Sequence, residues 1–272
     1  TEAVRFCNLE KGMVQMGSWN AGDYLKFGTE RTQPAVDLAG RIGLLSPASV
    51  LDVGCGPGNS TQVLQARFPE AEIIGIDSSE EMLQAARENL PGLEFLRCDV
   101  SCELSALNRR FDVVFSNACI QWVPDHPALL KNLMGLLNPG GVLAVQTPMN
   151  YEEPIHQIIG RTAQSERWRE KIKEPRIFYN LRQEEYFDLL SELSSRFDLW
   201  QTTYFHRMQS HEAILDWYRS TGLRPYLEAL QGEDRTEFEK EIFQQVKAAY
   251  PIQKNGEIIF RFPRFFFMAF KE

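Results

Sequence analysis

Three carboxylates and three glycines between Asp52 and Asp99 are spaced as a nucleoside site requires. Gly54, Gly56 and Gly58 fall in VLDVGCGPGN, Val50 to Asn59, directly after a β-branched run and before a helical stretch. Glycine there lets backbone approach a ligand and turn without a Cβ clash. The spacing is GxGxG, one residue tighter than the GxGxxG of dinucleotide sites, and Asp52 sits two residues ahead of it. A pyrophosphate at this loop would feel the Asp52 charge, whereas S-adenosylmethionine carries an ammonium and a sulfonium and no phosphate. The loop therefore reads as an S-adenosylmethionine site. Asp77, 19 residues after Gly58, can accept both hydroxyls of a ribose, which NAD would offer equally.

Further along, Asp99 is placed to accept from an adenine amino group, with Ile76, Met82 and Val100 supplying an apolar slot for the ring. The structural alternatives are an N-cap for Asp99 and ordinary core for the other three. Ser78 adjoins Asp77 and lies three residues before Glu81, the spacing of a capping box. Asn117, Ala118 and Trp122 follow a fourth apolar run and would line the mouth of the crevice beside the reacting sulfur, as part of the cofactor site.

These residues need strand ends to hold them, and the sequence supplies the strands. ASVLDVG, AEIIGID, LEFLRCD, FDVVFSN and VLAVQTP are short apolar runs bounded by turn residues and separated by helical stretches, among them Ser60 to Phe68, Ser79 to Asn89 and His126 to Leu137. That alternation predicts an α/β, Rossmann-like, doubly wound parallel sheet. Asp198 to Phe205 reads as a sixth strand and IIFRFPRFFFMAF as a seventh, where Pro263 argues for an edge or bulged strand. Helical cap segments are expected at about 150–195 and 209–255, inside one domain from 19 to 272, with 1–18 left unassigned.

Composition excludes other classes. The chain has 272 residues, 43% hydrophobic content and a formal net charge of -8, so it can bury a full core and offers no basic surface for nucleic acid or an anionic membrane. The cysteines (Cys7, Cys55, Cys98, Cys102, Cys119) and histidines (His126, His156, His206, His211) lack metal-ligand spacing, and no metal is expected. The histidines read as surface or satisfied core positions. With no signal peptide pattern and no apolar run of about 18 residues, a cytoplasmic setting is expected.

DVGCGPG, GIDSS, CDV, FSNACIQWV and LNPGGVLAV resemble the ordered motifs of class I S-adenosylmethionine-dependent methyltransferases, which implies a last strand running antiparallel at the sheet edge. WNAGDYLKFGTERTQPA, QTTYFHRM, SHEAILDWYRSTGLRPYL and YPIQKNGEIIFRFPRFFF are similar to the trans-aconitate methyltransferases, which esterify a carboxylate of a small tricarboxylic acid. Trp19 and Tyr24 could close over the cofactor as a lid or pack against the sheet, and Arg31 could reach the cofactor's own carboxylate; the resemblance, which includes these positions, favours the cofactor roles for Tyr24 and Arg31. A polyanionic acceptor needs fixed cations, and Arg219, Arg224, Arg261 and Arg264 are the candidates, with Tyr204, His206 and Tyr218 as further donors. An ionised carboxylate acceptor requires no general base. A phenol or amine acceptor would require one, with His206 or Tyr204 suspected, and a non-catalytic S-adenosylmethionine-binding protein is the third reading.

Overall fold

The computed structural model describes residues 28–173, 178–219 and 221–272. Trp19 and Tyr24 lie outside them. Arg31 lies in the opening turn of the first described helix, α1 (Gly28–Arg41).

Five strands then alternate with helices: β1 (Ser49–Val53), α2 (Asn59–Arg67), β2 (Glu72–Asp77), α3 (Glu80–Asn89), β3 (Glu94–Arg97), β4 (Phe111–Asn117), α4 (His126–Gly135) and β5 (Leu137–Pro148). After β5 come α5 (Pro154–Ala163), α6 (Gln183–Leu193), β6 (Phe197–Met208), α7 (His211–Arg219), α8 (Arg224–Glu228), α9 (Gly232–Ala249) and β7 (Ile258–Phe270). The sheet order is β3-β2-β1-β4-β5-β7-β6. β1 to β5 pair in parallel, and β7 runs antiparallel to both neighbours. The order reverses between β1 and β4, and in open α/β sheets such a switch point opens a crevice beyond the strand C-termini.

Burial on both faces explains the near-continuous apolar runs. Leu51, Val53, Val114, Leu143 and Val145 face one core cluster, and Val50, Val113, Phe115 and Ala144 face another packed under α1 and α2. A further cluster gathers α5, α7, α8 and α9 over the ends of β6 and β7, with Trp168, Trp217, Phe238 and Phe260 at its centre. No helix among the described residues is long and apolar enough to cross a membrane.

Two expectations are corrected. β7 is an interior strand, with β6 on its outer side. Pro263 is tolerated there because its carbonyl accepts from Met149 N–H (3.0 Å), so its donor-less nitrogen faces the point just past the end of β5, where no ladder bond is lost. The N-cap of α3 is Ser79 and not Ser78: the Ser79 hydroxyl accepts from Met82 N–H (3.4 Å), and Ser79 N–H is itself held by Asp77 Oδ1 (2.9 Å). That bond turns the chain at Asp77 and moves the helix start one residue on.

Candidate active site

The glycine loop turns on backbone that favours glycine. Gly54, Gly56 and Gly58 have φ of +72°, +54° and +95°, a region costly for residues with a Cβ. A Cβ at Gly54 would come within 2.3 Å of Cys119 Sγ, while one at Gly56 would meet nothing within 4 Å. Gly54 is thus fixed by the neighbouring chain, and Gly56 opens onto the crevice. Asp77 holds the loop from the next strand: its Oδ2 accepts from Gly56 N–H (3.0 Å). Burial raises the Asp77 carboxyl above its ordinary range, and the N–H groups of Ser79, Gly56 and Ser78 oppose that shift. Each Asp77 oxygen keeps a lone pair for a ribose hydroxyl, so the donor set fits a nucleoside.

Asp52 belongs to the support of this loop. It is 0% exposed, and its Oδ2 accepts from Ser60 Oγ (2.7 Å) and Thr61 Oγ1 (2.6 Å) at the start of α2. Desolvation pushes its carboxyl up to about 6, against the two hydroxyl donors. Asp52, whose charge is expected to be felt at the loop, reaches down to the helix and fixes the strand–loop–helix turn beneath it. Met82, Val100 and Ile76 are buried around the β2 and β3 ends. Asp99 Oδ1 accepts from Ser101 N–H (2.9 Å) and Oγ (2.6 Å), which caps the local turn and leaves Oδ2 for a ligand donor.

On the other side of β4 lies a cleft lined by Ala118, Gln121, Trp122, Asn150, His156, Phe178, Trp217, Tyr218, Gly222, Phe262 and Arg264, among others. It adjoins the loop because Cys119, the residue against Gly54, sits between Ala118 and the 3-10 turn Ile120–Trp122. Ala118 itself is held at φ +54°. Arg264 is 4% exposed and is the buried Arg or Lys among the described residues. Its Nη1 donates to Gln146 Oε1 (3.4 Å), and its guanidinium lies 4.3 Å from the Phe262 ring centroid. Asn150 Nδ2 donates to the buried Tyr218 hydroxyl (3.3 Å), and burial raises the Tyr218 hydroxyl well above its ordinary range. The His156 ring meets Phe178 and Tyr218 edge-on, at 5.6 and 5.1 Å.

The arginines separate by surroundings. Arg219 is ion-paired to Glu212, Asp216 and Glu239. Arg224 pairs with Glu228 one helical turn on (2.6 Å), and Arg261, with an exposed side chain, approaches Glu153 at 3.5 Å. None of the three lines the cleft. The Tyr204 hydroxyl donates to Asp37 on α1, and burial pushes its ionisation up. His206 stacks on Trp217 with centroids 5.0 Å apart. Of the residues singled out in the sequence, Ala118, Trp122, Tyr218 and Arg264 line the cleft; Asn117 ends β4 beside it. Sequence reasoning missed Gln121, Asn150, His156, Phe178, Trp217, Gly222 and Phe262. For Gln121 and Asn150 a signal existed, since each follows closely on the C-terminal end of a parallel strand, Gln121 after β4 at the switch point and Asn150 after the adjoining β5.

Residues 50–141 match the family described as "Methyltransferase domain". Over 254 residues the chain is 43% identical to trans-aconitate 2-methyltransferase of Escherichia coli (strain K12 / DH10B), covering 93% of this chain and 98% of the relative. Against the trans-aconitate 2-methyltransferase of Methylobacterium radiotolerans the identity is 44% over 260 residues, covering 94% and 99%. The chain belongs to the trans-aconitate 2-methyltransferase family. As a member it is a class I S-adenosylmethionine-dependent methyltransferase, with S-adenosylmethionine as cofactor. The fold is shared with solved structures: the YcgJ protein of Bacillus subtilis (TM-score 0.59, 15% identity, 88% of this chain and 99% of that one) and the MccD protein (TM-score 0.54, 17% identity, 88% and 96%). These alignments run over 93% and 94% of this chain, well beyond residues 50–141.

Proposed function

We propose that this enzyme transfers a methyl group to a carboxylate of trans-aconitate or a closely related small polycarboxylic acid, forming a monomethyl ester. The observation that carries the reading is Arg264, a guanidinium buried in a cleft that adjoins the glycine loop. Its planar fork suits bidentate carboxylate binding, and burial strengthens the attraction.

The cofactor would be held by the loop at Gly54 to Gly58 and by Asp77, with Asp99, Met82 and Val100 around the base; it supplies a methyl group already activated on a sulfonium. The protein's own work is positioning. Arg264 would anchor one carboxylate, and Asn150, Tyr218 and Gln121 would offer neutral polar contacts. The walls of Trp122, Phe178, Trp217 and Phe262 would exclude water, turning the acceptor carboxylate toward Ala118 at the β4 end. A carboxylate of pKa about 4 is already ionised at pH 7. No proton needs to leave the acceptor, which agrees with the cleft's polar groups: Tyr218 is held protonated by burial, and Arg264 is a cation at any working pH.

Transfer of labelled methyl from S-adenosylmethionine to trans-aconitate, with a base-labile product, is the expected result, and kcat/KM should be flat with pH from 7 to 9. Inactivity across a panel of di- and tricarboxylates would overturn the substrate assignment. A rate rising toward pH 10 would point instead to a phenol or amine acceptor.

A further inference from the structure

We infer that His126 and Tyr186, neither of which lines the cleft, are positioning residues that clamp together two of its walls: the turn from Ala118 to Trp122 and the segment from Phe178 to Leu181. The inference rests on the proposed acceptor site, and its test separates the two.

His126 opens α4 and is buried. Its Nε2 lies 2.9 Å from the Ile120 carbonyl and its Nδ1 lies 2.6 Å from the Tyr186 hydroxyl. A carbonyl can only accept, so Nε2 carries the hydrogen; in the neutral ring Nδ1 then accepts, and Tyr186 must donate to it. The backbone N–H of Leu181 lies on the hydroxyl side of Tyr186, where it favours the ionised form of that hydroxyl, and Leu181 packs against the same core cluster as the Tyr186 ring. One directed chain therefore runs from the Tyr186 hydroxyl to His126 and from His126 to the Ile120 carbonyl, with Leu181 packed at its Tyr186 end.

Both ends of that chain belong to cleft walls. Ile120 precedes Gln121 and Trp122, and Gln121 Nε2 donates to Ala118 O (2.7 Å). Leu181 follows Phe178, which packs on Trp122 at 5.2 Å between centroids. Between the two ends, Tyr179 N–H donates to Gln121 O (3.1 Å), and Asn180 Nδ2 donates to Pro148 O. The Tyr186 ring also lies against Phe265 and Phe267, each at 5.4 Å, the first of them next to Arg264. The clamp thus braces the turn, the 178–181 segment and the arginine strand at once, while touching neither the glycine loop nor Asp77.

The chain holds only with His126 neutral. Protonation would place a hydrogen on Nδ1 as well as on Nε2, so that Tyr186 could only accept there and its own hydroxyl hydrogen would have to turn to another acceptor. Burial favours the neutral ring, opposed by the carbonyls of Ile120 and Val123 and by Asp125, the charged residue beside it. Tyr186 faces it from α6, with Tyr151 and Glu185 beyond. Acid should therefore loosen the walls through His126.

The test uses the full-length protein carrying Tyr186→Phe, which keeps the ring against Phe265 and Phe267, and His126→Gln, which keeps a donor toward Ile120 and cannot be protonated. With trans-aconitate as acceptor, Tyr186→Phe should raise KM about tenfold, the loss of one buried hydrogen bond, and leave the Kd for S-adenosylmethionine within twofold. His126→Gln should lose the acid limb of kcat/KM assigned to His126 while retaining any limb from the acid substrate itself. Hydrogen exchange read by mass spectrometry needs no acceptor: peptides covering 118–122 and 178–181 should both exchange faster in Tyr186→Phe. If only one segment speeds up, or neither, or if the acid limb is identical in His126→Gln, the clamp is wrong. If wild type methylates no polycarboxylate yet the two segments loosen together, the clamp stands and the substrate assignment fails.

Discussion

The two halves of this site are built differently, although they meet at one turn. The cofactor half is a product of local chain order: strand, glycine turn, helix, then a carboxylate at the next strand end. Its parts are contiguous or one crossover apart, and their spacing carries their geometry. The acceptor half draws one to three residues each from the turn after β4, the end of β5 and the loop beyond it, α5, α7 and β7, with Phe178 from the connection ahead of α6, and its parts lie far apart in the chain. The first half can be read from a string of letters, whereas the second exists only after folding.

That contrast predicts which changes break which function, and the steepest should be at Gly54. A side chain there meets Cys119 Sγ within 2.3 Å at a φ of +72°, so Gly54→Val should abolish cofactor binding by calorimetry and lower the melting temperature. Gly56→Ala meets open space. It should cost only about 1–2 kcal/mol of stability from its φ while still blocking the ligand, which separates fold from binding inside one loop.

Next in size, Arg264→Met should lower kcat/KM for a polycarboxylate by about 10²-fold, as expected when a charged hydrogen bond is lost. Cofactor Kd should be unchanged. Arg264→Lys should recover only part of that loss, because an ammonium lacks the bidentate fork. Asp77→Ala should show the mirror image, with cofactor Kd raised about tenfold or more and acceptor KM little affected.

A smaller effect concerns Asp52. Burial raises its folded pKa to about 6 from the ordinary carboxylate value of 3.8, so between those values the native state holds the proton more tightly than the unfolded chain. Stability contributed by this group is therefore present at low pH and falls as pH rises from about 4 through 6. Asp52→Asn removes the ionisation and keeps an oxygen for Ser60 and Thr61. Its melting temperature relative to wild type should improve more at pH 7.5 than at pH 4.5. The smallest change should be Arg219→Gln, which disturbs carboxylates outside the cleft and should leave kcat/KM within twofold.

The seven strands and the switch-point loop were legible because apolar periodicity and turn residues report burial and chain reversal directly. The position of β7 was not, since a proline in a strand normally signals an edge, and only the end of β5 at Pro148 reveals why Pro263 is harmless inside the sheet. The inward turn of Asp52 was not legible for a related reason: only the fold shows Ser60 and Thr61 donating to it from the start of α2. Among the arginines, sequence alone offers four equivalent cations. What distinguishes Arg264 is a burial set by β6, β7 and the helices packed over them, whereas Arg219 and Arg224 find carboxylates on their own helices.

The most direct measurement is methyl transfer from labelled S-adenosylmethionine to trans-aconitate by wild type and Arg264→Met, alongside calorimetric cofactor binding to both. The prediction is a base-labile ester from wild type, about 10²-fold less from the variant, and equal cofactor affinity. Equal rates in the two proteins, or no ester from either, would contradict it.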